Sequence, residues 1–143
     1  MDNLNTLGKL LMRMGENTKA EYYFQMLLED ASLDHIGHAL VYHNIGQVHN
    51  NQGDYEKALK YYEKCLNIYL ISLPPTHRHI ATTYNSIGQV YNNQGDYEKA
   101  LKYYEKALTM ARKTLPFAHP VLRTIELAIR TAREKLSKYS NVF

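Results

Sequence analysis

Histidine is the residue type here that most invites chemistry, with seven copies: His35, His38, His43, His49, His77, His79 and His119. His35-x-x-His38 and His77-x-His79 are spaced so that two imidazoles could reach one metal ion. Each pair would need further ligands from elsewhere, and the sequence offers no cysteine or carboxylate cluster beside either. His77 and His119 hold equivalent places in two linkers, which fits capping the helix that follows each. Cys65 is the only cysteine, so an internal disulfide is excluded. In a helical context it reads as a small buried hydrophobe and not as a nucleophile. Asp54 and Asp96 each follow a glycine and read as helix caps, because no convergent acid or base accompanies them. All seven glycines are isolated, so no phosphate-binding loop is present. The expectation is a chain with no catalytic residues, no metal and no cofactor.

Composition narrows the class further. The chain has 143 residues, 45% hydrophobic and 22% charged, with a net charge of +3. Such values fit one folded domain over 1–143 and give no reason to expect a nucleic-acid partner. No apolar run approaches the roughly 18 residues of a membrane span, and no signal pattern opens at Met1. The expected setting is cytoplasmic, without membrane attachment. Thirteen tyrosines stand against no tryptophan.

Any element able to position such residues comes from an internal repeat. A shift of 42 lays Tyr42–Leu66 over Tyr84–Leu108, and among those 25 positions only 43, 44, 49 and 65 differ. Leu73, Pro74 and His77 likewise match Leu115, Pro116 and His119. A looser copy opens the chain at an offset of 38, where Gly8, Gly15 and Ala20 align with Gly46, Gly53 and Ala58. Within a copy the apolar period is helical: Tyr55, Ala58, Leu59, Tyr62, Leu66 and Tyr69 recur at steps of three and four. Gly53 ends one helix and Asp54 starts the next. The spacing predicts seven helices, at about 3–14, 17–31, 35–51, 54–72, 77–93, 96–114 and 119–138, and no strand. His49 stands where the third copy has Tyr91, so it is expected to be a packed ring. In the last helix Val121, Ile125, Ala128, Ile129, Ala132 and Leu136 form one apolar stripe. Basic residues fill its remainder, as in a terminal cap.

These residues resemble the tetratricopeptide repeat. Its pattern is met by Tyr84, Ile87, Gly88, Tyr91, Gly95, Ala100 and Tyr104 in the third copy. The second copy supplies Tyr42, Ile45, Gly46, His49, Gly53, Ala58 and Tyr62. The first supplies Leu4, Leu7, Gly8, Leu11, Gly15, Ala20 and Phe24. The 42-residue length is similar to the repeats of kinesin light chains. The resemblance implies an all-α fold, an α-α superhelix (solenoid) of three helix pairs with a C-terminal capping helix. Repeat one would cover about 1–34, repeat two 35–76, repeat three 77–118 and the cap 119–138.

The family's inner face is built by first helices, and carrying its positions over gives a candidate peptide-binding groove. Repeat two contributes Leu40, His43, Asn44, Gln47, Asn50 and Asn51. Repeat three contributes Thr82, Asn85, Ser86, Gln89, Asn92 and Asn93. Four amide side chains come from each repeat, and neither set carries an acidic or basic residue beyond His43. An amide both donates and accepts, so it can pair with the backbone of a bound peptide whatever its side chains. Asn50 and Asn51 read equally as solvated turn residues, whereas mid-helix Asn44 and Asn85 lower helix propensity and so suggest a use. Family members that grip acidic tails need basic groove residues; here only Lys9 and Arg13 qualify, which points to a peptide with apolar anchors. Met1, Met12, Met14 and Met26 gather in repeat one, either as fillers of an end layer or as adaptable binding residues. The expected function is a non-catalytic protein-interaction module that binds a peptide segment of a partner. The alternatives are a self-associating module, as a homodimer or domain-swapped assembly, and the targeting part of a larger enzyme.

Overall fold

Three glycines close the turns that make helices into pairs. Gly15, Gly53 and Gly95 have φ of 81°, 79° and 83°, a left-handed backbone that costs other residues about 1 kcal/mol. After each, one N–H reaches back to close the ended helix. Glu16 donates to the Leu11 carbonyl at 2.8 Å, Asp54 to that of His49 at 2.9 Å, and Asp96 to that of Tyr91 at 2.9 Å. The same Asp54 and Asp96 then cap the next helix, accepting from the N–H groups of Lys57 at 3.4 Å and Lys99 at 3.2 Å. Repeat one has Glu16 there, whose longer side chain makes no cap bond.

The computed structural model describes residues 2–142, with side chains over 4–139. It forms two compact units, Met1–Ser72 and Leu73–Phe143. The first holds α1 (Asp2–Arg13), α2 (Asn17–Leu28), α3 (His35–Asn51) and α4 (Tyr55–Ser72). The second holds α5 (Arg78–Asn93), α6 (Tyr97–Thr114) and α7 (Pro120–Val142). No strand occurs among the described residues. Two helix ends depart from expectation. α2 stops at Leu28 and not near 31, because Asp30 turns the chain by accepting from both the N–H and the hydroxyl of Ser32. Those bonds hold the Asp30 carboxyl below its ordinary range. α7 continues past 138, since no glycine or proline interrupts it.

Each pair is drawn together at a glycine facing an aromatic ring. A Cβ on Gly8 would lie 2.5 Å from the Phe24 ring, on Gly46 2.8 Å from Tyr62, and on Gly88 2.7 Å from Tyr104. Hydrogen in place of a side chain lets the ring lie flat on the neighbouring backbone. In unit 1 the core joins Ala20, Phe24 and Leu27 of α2 to Val41, Ile45 and Val48 of α3. In unit 2 Tyr104, Ala107, Leu108 and Ala111 of α6 meet Leu122, Ile125, Ile129 and Ala132 of α7. The apolar stripe of α7 is therefore corrected at its start: Leu122 is buried and Val121 is exposed. Leu122 stands three residues before Ile125, in phase with the stripe of Ile125, Ile129 and Ala132 that packs on α6.

The tyrosines stack at the water boundary with lysines over them. His49 stacks on Tyr61 at 5.6 Å and 11°, and Tyr91 on Tyr103 at 5.5 Å and 17°. The expected replacement of a packed tyrosine by a packed histidine is thus what the structure has. Lys64 lies 5.2 Å from the Tyr61 ring centre, and Lys106 lies 5.2 Å from that of Tyr103. Cys65 is fully buried, as is its counterpart Ala107. Met12 packs against the unit 1 core, whereas Met14 and Met26 are exposed and fill nothing. Met1 lies outside the described residues.

Candidate functional site

The first helices carry the candidate groove residues, and the turn chemistry above fixes which way each helix faces. In unit 1 the expected row runs along α3. Gln47 and Asn51 are exposed, and Leu40, His43 and Asn50 are half-buried. The His43 ring sits 5.2 Å from that of Tyr62, so one face of it is spent on packing. Asn50 stands in the last turn of α3, where its carbonyl accepts the Gly53 N–H at 3.1 Å.

Asn44 departs from the expectation of an open amide. It is only 3% exposed, and its Nδ2 donates to Asn5 Oδ1 at 3.0 Å. Asn44 is a tie between α3 and α1, and its mid-helix cost is offset inside the protein.

In unit 2 the row runs along α5. Thr82, Gln89 and Asn93 are exposed, while Asn85, Ser86 and Asn92 are half-buried. The Thr82 hydroxyl donates to the Arg78 carbonyl at 3.0 Å. Asn85 Oδ1 is buried and has no hydrogen-bond partner. The register explains the contrast with unit 1. Two repeats on from Asn44, the sequence has Ala128, which can offer α5 no amide.

α7 adds three positions that a reading of it as a cap passed over. The 42-residue shift takes Thr82 to Thr124, Asn85 to Leu127 and Gln89 to Thr131, whereas Ser86, Asn92 and Asn93 meet Ala128 and the charged Glu134 and Lys135. Thr124 and Thr131 turn their hydroxyls back onto their own helix, to the carbonyls of Pro120 at 3.1 Å and Leu127 at 2.9 Å. Leu127 is 58% exposed, an apolar side chain between two threonines. The signal that could have revealed it was the same shift, applied once more.

The histidines have structural partners. His77 Nδ1 accepts the His79 N–H at 3.0 Å, and His119 Nδ1 accepts the Val121 N–H at 3.1 Å, so both cap helices as the linker register predicts. His49 Nε2 lies 3.2 Å from Glu21 Oε1, linking α3 to α2. Burial, with His77 and Arg78 beside it, holds the His79 imidazole below its ordinary range. An open cleft of about 810 Å³ separates α6 from α7 and is crossed by Arg112–Glu126 at 3.3 Å and Arg133–Glu105 at 3.2 Å. These four side chains are matched in charge at the surface, above the apolar core that joins the two helices.

Comparison with known proteins fits this geometry. The tetratricopeptide-repeat family model matches residues 1–71 and 37–113. The solved structure of BtubC (BKLC) from P. vanneervenii is similar at a TM-score of 0.83 and 17% identity, over 96% of this chain and 56% of that one. This chain therefore spans little more than half of that structure. A putative kinesin light chain with nearly identical TPR-like repeats, from Podosopora anserina, gives 0.82 and 14%, over 98% of this chain and 68% of that one. PcrH in complex with the chaperone-binding region of PopD gives 0.69 and 18%, over 96% and 92%. No curated protein sequence matches the chain. The likenesses show the fold, an all-α repeat solenoid.

Proposed function

Since the chain belongs to the tetratricopeptide-repeat family, we propose that it is a non-catalytic protein-interaction module that binds a peptide segment of a partner along its first helices. The observation that carries this reading is the uncharged, partly open row on α5 and α7: Thr82, Asn85, Gln89, Thr124, Leu127 and Thr131. Exposed amides supply backbone pairing, and Leu127 supplies a seat for an apolar anchor. Gln47 and Asn51 extend the same chemistry on α3. The similarity to PcrH, solved with a bound region of PopD, supports a peptide as the guest. A peptide with few charges fits best along these six positions, none of which is charged, while Glu134 and Lys135 flank them farther along α7. A cytoplasmic setting is supported by the lone, buried Cys65, and no described helix is long and apolar enough to cross a membrane.

The test is capture of partners from the source cell with the wild-type chain, followed by affinity measurement on the peptide found. Leu127→Asp and Gln89→Lys change exposed side chains and leave the core intact. Each should weaken binding at least tenfold, while Lys60→Ala on an exposed face of α4 should leave it unchanged. Equal affinity for all three variants would remove the row from the binding site.

A second reading, self-association through repeat one, is favoured by one observation. Tyr22 and Met26 are exposed on α2 where the later repeats have Lys60 and Lys64, then Lys102 and Lys106. Sedimentation of wild type against Tyr22→Lys/Met26→Lys decides it: a wild type monomeric at every concentration ends that reading.

A further inference from the structure

We infer that unit 2 carries an acid-sensitive latch, in which two neutral imidazoles, those of His77 and His119, hold the first turns of α5 and α7 and let go when protonated. The same small device is built twice. The His77 N–H donates to the Pro74 carbonyl at 2.9 Å, and the His119 N–H to the Pro116 carbonyl at 2.9 Å. Each histidine then gives its carbonyl to the third residue on, Ile80 and Leu122, both at 3.0 Å. Its Nδ1 takes the N–H of the second residue on, His79 at 3.0 Å and Val121 at 3.1 Å. An N-terminal turn has donors that no helical carbonyl can reach, so this acceptor satisfies one of them.

An imidazole accepts at Nδ1 only as the neutral tautomer with its proton on Nε2. Protonation replaces the lone pair with an N–H that faces another N–H. It also places a positive charge at the positive end of the helix dipole. Both effects oppose the cap as soon as the ring takes up a proton.

The surroundings offer the charged imidazole little relief. Arg78 and His79 of α5 and His119 line one cleft of about 250 Å³ between the two helix starts, with Ala81, Thr82, Leu115 and Val121. The His77 and His79 rings are 4.7 Å apart. The adjoining cleft under Phe117 brings Arg112, Arg123 and Glu126, and Glu126 is taken by Arg112 at 3.3 Å. The remaining described helix starts with a side-chain cap use carboxylates, Asp34 for α3, Asp54 for α4 and Asp96 for α6. A carboxylate accepts through two oxygens and carries no N–H, so these caps lack the imidazole's conversion of an acceptor into a donor. Loosening is thereby confined to the two helices that carry Thr82, Asn85, Thr124 and Leu127. The latch does not depend on what these residues bind; weaker peptide binding in acid is its consequence and rests on the function proposed above.

Hydrogen exchange of the full chain tests it, with rates expressed as protection factors so that intrinsic pH effects cancel. Between pH 7.5 and 5.0, protection at 80–84 and 122–126 should fall about tenfold, and protection at 38–42 behind Asp34 should hold. His77→Asp/His119→Asp, with carboxylate caps at both places, should abolish the fall. An equal fall behind Asp34, no fall in the wild type, or the same fall in the double variant would overturn the latch. Imidazole 15N shifts supply an independent reading that needs no variant. Both rings should be Nε2–H tautomers at pH 7.5, and an Nδ1–H tautomer at either would overturn it.

Discussion

Gly88→Ala puts the pairing of helices under the sharpest test. The added methyl would lie 2.7 Å from both Cδ1 and Cε1 of Tyr104 and 3.2 Å from the Ala100 carbonyl oxygen. Ordinary contact needs about 3.4 Å or more, so the ring must retreat by about 0.7 Å in a core packed at crystal density. Tyr104 is 2% exposed, and the carbonyl belongs to the helix backbone, so neither has free space to enter. Overpacking of this kind costs about 1–3 kcal/mol, and alanine's better helix propensity returns about 1 kcal/mol. The expected net loss is about 0–2 kcal/mol, or up to roughly 15 °C in the melting temperature of a unit this size. Circular dichroism at 222 nm during thermal and urea unfolding reads it. Combining the change with Tyr104→Leu, which removes the ring edge, should cut the penalty of the methyl by at least half. A Gly88→Ala that stabilises by the full helix-propensity gain of about 1 kcal/mol, or an effect unaltered by Tyr104→Leu, would refute the close-approach argument.

Two asparagines of similar sequence context should respond in opposite directions. Asn44→Ala strands Asn5 and should cost about 1–2 kcal/mol, whereas Asn85→Ala removes a buried oxygen without a partner and should stabilise by about 0.5 kcal/mol, both read by thermal unfolding. At alkaline pH, burial pushes the Tyr104 hydroxyl up to about 12. Its folded-state value thus lies above the ordinary value near 10, so its contribution is complete below pH 10 and is lost as pH rises from about 10 through 12. Stability of wild type measured across that window should fall more steeply than that of Tyr104→Phe, and parallel curves would contradict the assignment.

Much of this fold could be read from the sequence because its determinants are local and repeated. Gly53 and Asp54, seen twice verbatim, fix a turn by backbone conformation and a cap, which need only neighbouring residues. Leu122 and not Val121 lies in the core because steps of three and of four back from Ile125 both fit an apolar stripe, and only the packing on α6 decides between them. The candidate site was less legible. Asn44 and Gln47 lie three residues apart on α3, and their difference in exposure comes from Asn5, 39 residues away. No pattern within the repeat reports that contact. Met14 and Met26 are alike in type to Met12 yet exposed, since hydrophobicity states a preference for burial and cannot say whether a neighbour covers the side chain.

The four positions at which Tyr42–Leu66 and Tyr84–Leu108 differ have a physical logic of their own. Identical surroundings would favour identical residues, so a difference marks a neighbour that is not the same. Asn44 replaces the serine of repeat three, and it is the residue that reaches Asn5 of repeat one. His49 replaces Tyr91, keeps the stacking of the ring, and gains a nitrogen that reaches Glu21 of repeat one. Two of the four changes therefore sit where repeat two meets the divergent first copy. His43 in place of Asn85 packs on Tyr62, and Cys65 in place of Ala107 fills fully buried space. Asn44→Ser/His49→Tyr, which gives repeat two the residues of repeat three at these two positions, should destabilise the chain by more than either change costs alone. Restoring the match by altering Asn5 and Glu21 should recover most of the loss.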